Sequence, residues 1–377
     1  MLQDHQPFSR LTEASIADLR SFIGKEVRRG RPYVEELNAD AIRHFALGIG
    51  DQNPLWVDQA YAEGSVHGCL LAPPTILFAT DRILSGYVTG LPGVHAMFAG
   101  TEFRFERAPR LGDRIRAVAR LKDLIERPSR FAGRSLQQIY EVECFDQDDA
   151  LVASGSSYCF RTERDAAREK GKYEHREVQW SPAEIEDIAA RYTAQEARRR
   201  GATTRFIEDV AAGEAIPEII KGPYTATTAI AFLLGWGGLY VRAHGDAFDL
   251  FGRHPALGIP NEWGVPEPPE RVHWDPDLAR RVGVPGAYDY GPERVSWMGH
   301  LVTDWMGDAG FLRRLTVEVR RHNLIGELVT CSGQVESVDA ASGIATLSLA
   351  ACNQDGEESA RGSAEVILPA RGTKALS

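Results

Sequence analysis

Apolar positions change their period along this chain, and the changes divide it into elements. Ile42, Phe45, Ala46 and Ile49 recur at helical spacing behind Asn38, a residue suited to capping. That run breaks at Gly50 into a polar turn closed by Pro54. Leu11 to Phe22 reads as a short helix, and Tyr33-Val34-Glu35 as an entry strand. Four later runs, Glu102–Arg107, Arg114–Ala119, Gln138–Phe145 and Leu151–Phe160, alternate apolar and polar residues as half-buried strands do. A Pro-x-x-Gly-Asp turn, Pro109 to Asp113, joins the first two. Helix plus long antiparallel strands predicts an α+β unit.

Between 162 and 177 the chain is densely charged, and Ser181 to Arg200 reads as a polar helix. We expect a solvated linker over 162–206. The earlier pattern then returns. Ile216 to Tyr224 leads into an apolar run whose Phe232, Gly235 and Gly237 repeat the spacing of Phe45, Gly48 and Gly50. Val319 to Glu327 repeats Phe105 to Asp113, and Cys352-Asn353-Gln354-Asp355 with Gly362 echoes Phe145-Asp146-Gln147-Asp148 with Gly155. These landmarks predict an internal duplication: a first unit over 1–161, the linker, and a second unit over 207–377 with an insertion at 240–270.

Net charge is −10, which argues against nucleic acid as the main partner. The start, Met1-Leu2-Gln3-Asp4-His5, is polar and unlike a secretory leader. The most apolar segment, Ala229 to Val241, is too short to span a bilayer and is expected to be a buried helix. Five scattered cysteines without a CxxC pair fit free thiols in a reducing cytoplasm and no structural metal.

Gly50-Asp51-Gln52-Asn53-Pro54-Leu55 resembles the motif of MaoC-like (hydratase 2) hot-dog enzymes, Gly-Asp-x-Asn-Pro, an apolar residue, then His. Trp56 stands at the His position. The order of landmarks is similar to two-domain MaoC-like proteins whose first half is a dehydratase domain of the fatty-acid-synthase type. The resemblance implies a tandem double hot-dog fold, each half a curled antiparallel sheet around a central helix. It also implies a hydratase/dehydratase acting reversibly on a 2-enoyl or 3-hydroxyacyl thioester of coenzyme A or acyl carrier protein. No cofactor is then expected beyond the coenzyme A of the substrate, and no membrane partner; a homo-oligomer is compatible.

In the second copy, Val272-His273-Trp274-Asp275 parallels Leu55-Trp56-Val57-Asp58, which puts His273 at the motif's His position, while Gly238 stands where Asp51 does. One half keeps the acid and the other the imidazole. Paired hot-dog units hold their two sites apart, so Asp51 and His273 are not expected to meet. His273 is the leading catalytic candidate, with Asp246 of the insertion as a replacement acid; Asp51, with His67 as a replacement base, is the first-half candidate. Asn53, Tyr288, Arg294 and Trp305 are candidate substrate contacts, and strand arginines candidate phosphate contacts. The proline- and aromatic-rich insertion is expected to shape the acyl end of the pocket. A hydratase requires a carboxylate within reach of His273. A binding or scaffold subunit does not, and a hot-dog thioesterase would release free thiol.

Overall fold

A computed structural model describes residues 10–27, 30–129, 133–163 and 177–372. The chain start and most of the charged 162–177 stretch lie outside the described residues.

Nine strands form one antiparallel sheet: β1 (His95–Phe105), β2 (Arg116–Ser129), β3 (Gly133–Phe145), β4 (Leu151–Thr162), β5 (Ala215–Lys221), β8 (Phe311–Val319), β9 (Val329–Asp339), β10 (Ile344–Asn353) and β11 (Glu358–Ile367). Their order is β2-β3-β4-β1-β8-β11-β10-β9-β5. A separate two-residue pair, β6 (Ile259–Pro260) and β7 (Pro266–Glu267), lies in the insertion. The alternating runs are strands because one face packs on the core; along β10 every second residue is buried.

The register carries the duplication. β1 and β8 join the two sets of strands, and Glu102 pairs with Thr316, Thr101 with Val317 and Phe103 with Leu315. Under the match of Phe105 to Val319, Glu102 and Thr316 are each other's counterparts, so the pairing is symmetric about them. Gly155 pairs with Phe103 and Gly362 with Val317, again counterparts. The turns repeat as well. Arg107 binds Asp113 and Asp146 at 2.7 and 2.8 Å. In the second copy Arg321 lies 3.5 Å from Glu327, which accepts from Asn353.

The described helices are α1 (Glu13–Arg20), α2 (Ala39–Gly48), α3 (Pro54–Val57), α4 (Gln59–Gly64), α5 (Leu77–Thr80), α6 (Pro182–Arg198), α7 (Ala226–Trp236), α8 (His244–Arg253), α9 (Pro276–Arg281) and α10 (Gly291–Met306). The helix buried in the second set of strands is α10, with every residue from Pro292 to Met306 buried. Its first-half counterpart is short: a 3-10 turn, Pro74–Ile76, then α5. It stops at Asp81, whose carboxylate accepts from the Leu84 backbone at 3.0 Å and so favours a turn.

Helices α2 and α7 pack on each other across the halves, Phe45 meeting Phe232 edge-on at 6.4 Å. Matched glycines make the crossing possible. A Cβ on Gly48 would lie 2.9 Å from the Ala231 carbonyl oxygen, and one on Gly235 would lie 2.5 Å from that of His44. The apolar run containing α7 is not buried all round, as its composition suggested. Ala229, Phe232, Gly235 and Trp236 face inward, but Ile230 and Leu234 are 49% and 65% exposed. No helix among the described residues is long and apolar enough to cross a membrane.

Candidate functional site

The motif turn after α2 is a sealed network. Asn38 caps α2, and Asp51 Oδ1 accepts from the Asn53 backbone at 3.0 Å. Asn53 in turn caps α3 by accepting from the Leu55 N–H, so its side chain serves the turn. His300 Nε2 lies 3.5 Å from Asp51 and 3.1 Å from Asp304. The Lys221 ammonium lies 2.7 Å from His300 Nδ1 and donates to the Ile49 and Gly50 carbonyls. Asp51 and His300 are 1% and 2% exposed. Burial lowers the Lys221 pKa. With Lys221 donating to Nδ1, the other ring nitrogen of His300 holds the proton and donates it to Asp304, with Asp51 alongside. Asp51, His300 and Asp304 also sit close enough to hold a metal ion, but Arg199 already pairs with Asp304 at 2.8 Å and Lys221 places its charge behind His300. His67 does not join the network: its Nε2 bonds the Asp308 carbonyl at 2.7 Å.

The cavity that His273 lines is separate from this network. A space of about 420 Å³ opens between the start of β1, the N-terminal end of α10 and the insertion, and His273 lines it. His273 ends the 3-10 turn Pro269–His273, and Asp275 caps α9 just as Asp58 caps α4. Its Nδ1 bonds the Tyr288 carbonyl at 2.7 Å, which fixes the proton there and leaves Nε2 as the basic nitrogen. The ring lies 3.7 Å from that of Tyr290. Burial pushes its pKa down to about 4, so the imidazole is neutral near pH 7. His322, on the same wall, is held down to about 3 by burial and then by the positive Arg294.

Tyr288 lines the cavity and packs between His273 and His322. Arg294 also lines it, but its guanidinium is held by Asp289 and by the carbonyls of Arg321 and Ser359. It braces the wall, which corrects its reading as a substrate contact. Trp305 is not at the cavity. It is buried under the Arg205 guanidinium near the far end of α10, ~20 Å along the helix from Gly291. Asp246 is exposed on α8 and does not line the cavity, so it does not serve as an acid for His273. The insertion contributes Tyr240, Ala256, Leu257 and Ile259 to the lining, whereas Trp263 and Phe248 point to solvent, 78% and 62% exposed. Among the strand arginines, Arg320 and Arg321 reach the cavity; Arg107 and Arg314 are paired with acids.

One cavity residue escaped sequence reasoning. Glu270, 6% exposed, stands one 3-10 turn before His273 and accepts from the Leu239 and Tyr240 backbones at 2.7 and 2.5 Å. Burial raises its pKa. The signal was the Pro-Glu-Arg-Val-His run, in which the acid sits three residues before the imidazole.

A family model described as the FAS1-like dehydratase domain region matches residues 21–154. The UPF0336 protein of Saccharopolyspora erythraea is 32% identical over 110 residues, 28% of this chain and 69% of that relative. Its Streptomyces griseus counterpart is 29% identical over 140 residues, 36% of this chain and 89% of its own length. Among solved structures, a MaoC-like dehydratase aligns with a TM-score of 0.63 at 16% identity, covering 93% of this chain and 100% of that one. A putative MaoC domain dehydratase from Chloroflexus aurantiacus aligns at 0.55 and 13% identity, covering 93% and 96%. A Mycobacterium tuberculosis protein described as a double hotdog fold aligns at 0.52 and 12% identity, covering 90% and 97%. At these identities the structural likeness establishes the fold.

Proposed function

We propose that this chain, which belongs to the MaoC-like, fatty-acid-synthase-type dehydratase family of double hot-dog proteins and has UPF0336 proteins among its relatives, is a hydro-lyase working in its second half. Its substrate class is a 2-enoyl or 3-hydroxyacyl thioester of coenzyme A or acyl carrier protein, with no separate cofactor. The observation that carries this reading is His273: a neutral imidazole of fixed tautomer, lining a mainly apolar cavity.

A base that removes a proton beside a thioester carbonyl must be neutral, directed and shielded from water. His273 is neutral, is directed by the Tyr288 carbonyl, and packs against the Tyr288 and Tyr290 rings. The enolate that forms needs a hydrogen-bond donor, and the cavity lining includes Gly291, the first residue of α10, whose N–H has no partner within the helix; Pro292 carries no N–H and that of Arg294 goes to the Tyr290 carbonyl. Gly291 is required there, because a Cβ would lie 2.2 Å from the Phe98 ring. The first half supplies wall rather than chemistry. Its Asp51 is closed off by Lys221 and His300, and Trp56 is a donor-only side chain that cannot accept a proton.

A second reading, a binding subunit without chemistry, is favoured by one fact: the hydrogen bond holding His273 goes to a carbonyl and not to a carboxylate. A panel of 2-enoyl-CoA thioesters separates the two, followed by loss of the conjugated absorbance. Hydration expressed by the wild type and lost in His273→Ala supports the hydro-lyase. Binding without turnover supports the subunit, and release of free thiol points to a thioesterase.

A further inference from the structure

Taking the hydro-lyase reading as its basis, we propose that Glu270 is the acid partner of His273, replacing the aspartate that the second half lost at Gly238. A Cβ built on Gly238 would lie 3.0 Å from Glu270 Oε1, so the glutamate carboxylate fills the space a side chain at 238 would take. The hydrogen bonds agree. Asp51 accepts from the N–H two residues after itself, that of Asn53. Glu270 accepts from the N–H two residues after Gly238, that of Tyr240, and from that of Leu239.

The sequence match explains the move. Asp58 and Asp275 are equivalent caps, so Trp56 is matched by His273 and Asn53 by Glu270. The acid has shifted from the Asp to the Asn position of the motif, and the longer glutamate side chain reaches back to the vacated place. Gly238 makes the room with a left-handed backbone, φ 65°. A 3-10 turn repeats every three residues, which puts Glu270 and His273 on the same side of their turn, and both line the cavity.

The step balances with these two groups alone. In dehydration, His273 Nε2 takes the C2 proton, and those electrons form the C2=C3 bond. The C3–O bond breaks, and its oxygen leaves as water with the proton of the Glu270 carboxyl. Imidazolium and carboxylate remain, and one proton transfer between them restores the starting state. Burial of Glu270, which favours its protonated form, suits the donor role.

Two measurements test this. In steady-state hydration of crotonyl-CoA, Glu270→Gln keeps the shape and one backbone acceptor; it is expected to lose at least thirtyfold in kcat with KM within about threefold. Turnover above a tenth of wild type overturns the proposal. Equilibrium binding needs no turnover. The wild type should bind 3-hydroxybutyryl-CoA about tenfold more tightly than butyryl-CoA, and Glu270→Ala should lose that preference. No preference in the wild type, or one unchanged in Glu270→Ala, overturns the proposal without recourse to Glu270→Gln. The failures separate. A wild type that is inactive on enoyl thioesters yet shows a Glu270-dependent hydroxyl preference sinks the hydro-lyase reading and keeps the carboxylate. Turnover unimpaired in Glu270→Gln does the reverse.

Discussion

A single residue type can keep its place in a motif and change its task. Asp51 matches the hydratase motif by letter, but burial beside Lys221, His300 and Asp304 turns it into part of a charge-compensated plug. His273 keeps the motif's His position without the Gly-Asp-x-Asn-Pro letters before it, and it lines the cavity. His273→Ala is therefore expected to lower enoyl-thioester turnover a hundredfold or more, while folded Asp51→Asn loses less; steady-state assay of both, after circular dichroism confirms folding, checks the order. Lys221 should matter for stability instead. Lys221→Met leaves the Ile49 and Gly50 carbonyls and His300 Nδ1 without their buried donor and is expected to cost about 2–4 kcal/mol in urea unfolding, with kcat of the folded fraction close to wild type. His273 was legible because its place follows from sequence landmarks. Lys221 was not, since nothing local marks a lysine at the end of β5 as the partner of a turn about 170 residues earlier.

At the scale of elements, periodicity did most of the work and failed where burial is two-sided or a helix is broken. Strands β1 to β4 and their turns follow from alternation, and the polar helix α6 from its Ser181 cap. The first-half counterpart of α10 is legible in its start, where Pro73 and Pro74 precede an apolar run, but not in its early end, because Asp81 stops it through a side-chain hydrogen bond. The α2–α7 contact was visible only as repeated glycine spacing. Its physical meaning is close backbone approach, and Gly235→Ala tests it: the added carbon would meet the His44 carbonyl at 2.5 Å and the Phe45 Cα at 2.6 Å. Because backbone cannot yield as a flexible side chain does, we expect a loss of about 1–3 kcal/mol by thermal or urea unfolding. Gly245→Ala, in open space on α8, should be close to neutral.

Over the whole molecule, the cavity wall makes folding depend on acid. His322 sits between Tyr288 and the positive Arg294, and its imidazole titrates at about 3 in the folded chain against 6.5 in the unfolded one. The unfolded chain therefore binds a proton between those values that the folded chain refuses. A depressed pKa of this kind gives stability that is present above pH 6.5 and is lost as pH falls toward the folded value. His273, held at about 4, adds loss of the same sign over a narrower window, while buried Glu270, whose pKa is raised, contributes in the opposite direction as pH climbs above its unfolded value. Wild-type stability alone would mix these signs, so the informative quantity is a difference. His322→Asn removes one titration and leaves the others. Relative to that variant, the wild type should lose up to roughly 3 kcal/mol between pH 6.5 and pH 4, from 1.36 kcal/mol per pKa unit. Urea unfolding of both proteins across that range reads the change, and a difference that stays flat with pH would show that His322 meets solvent in the folded protein.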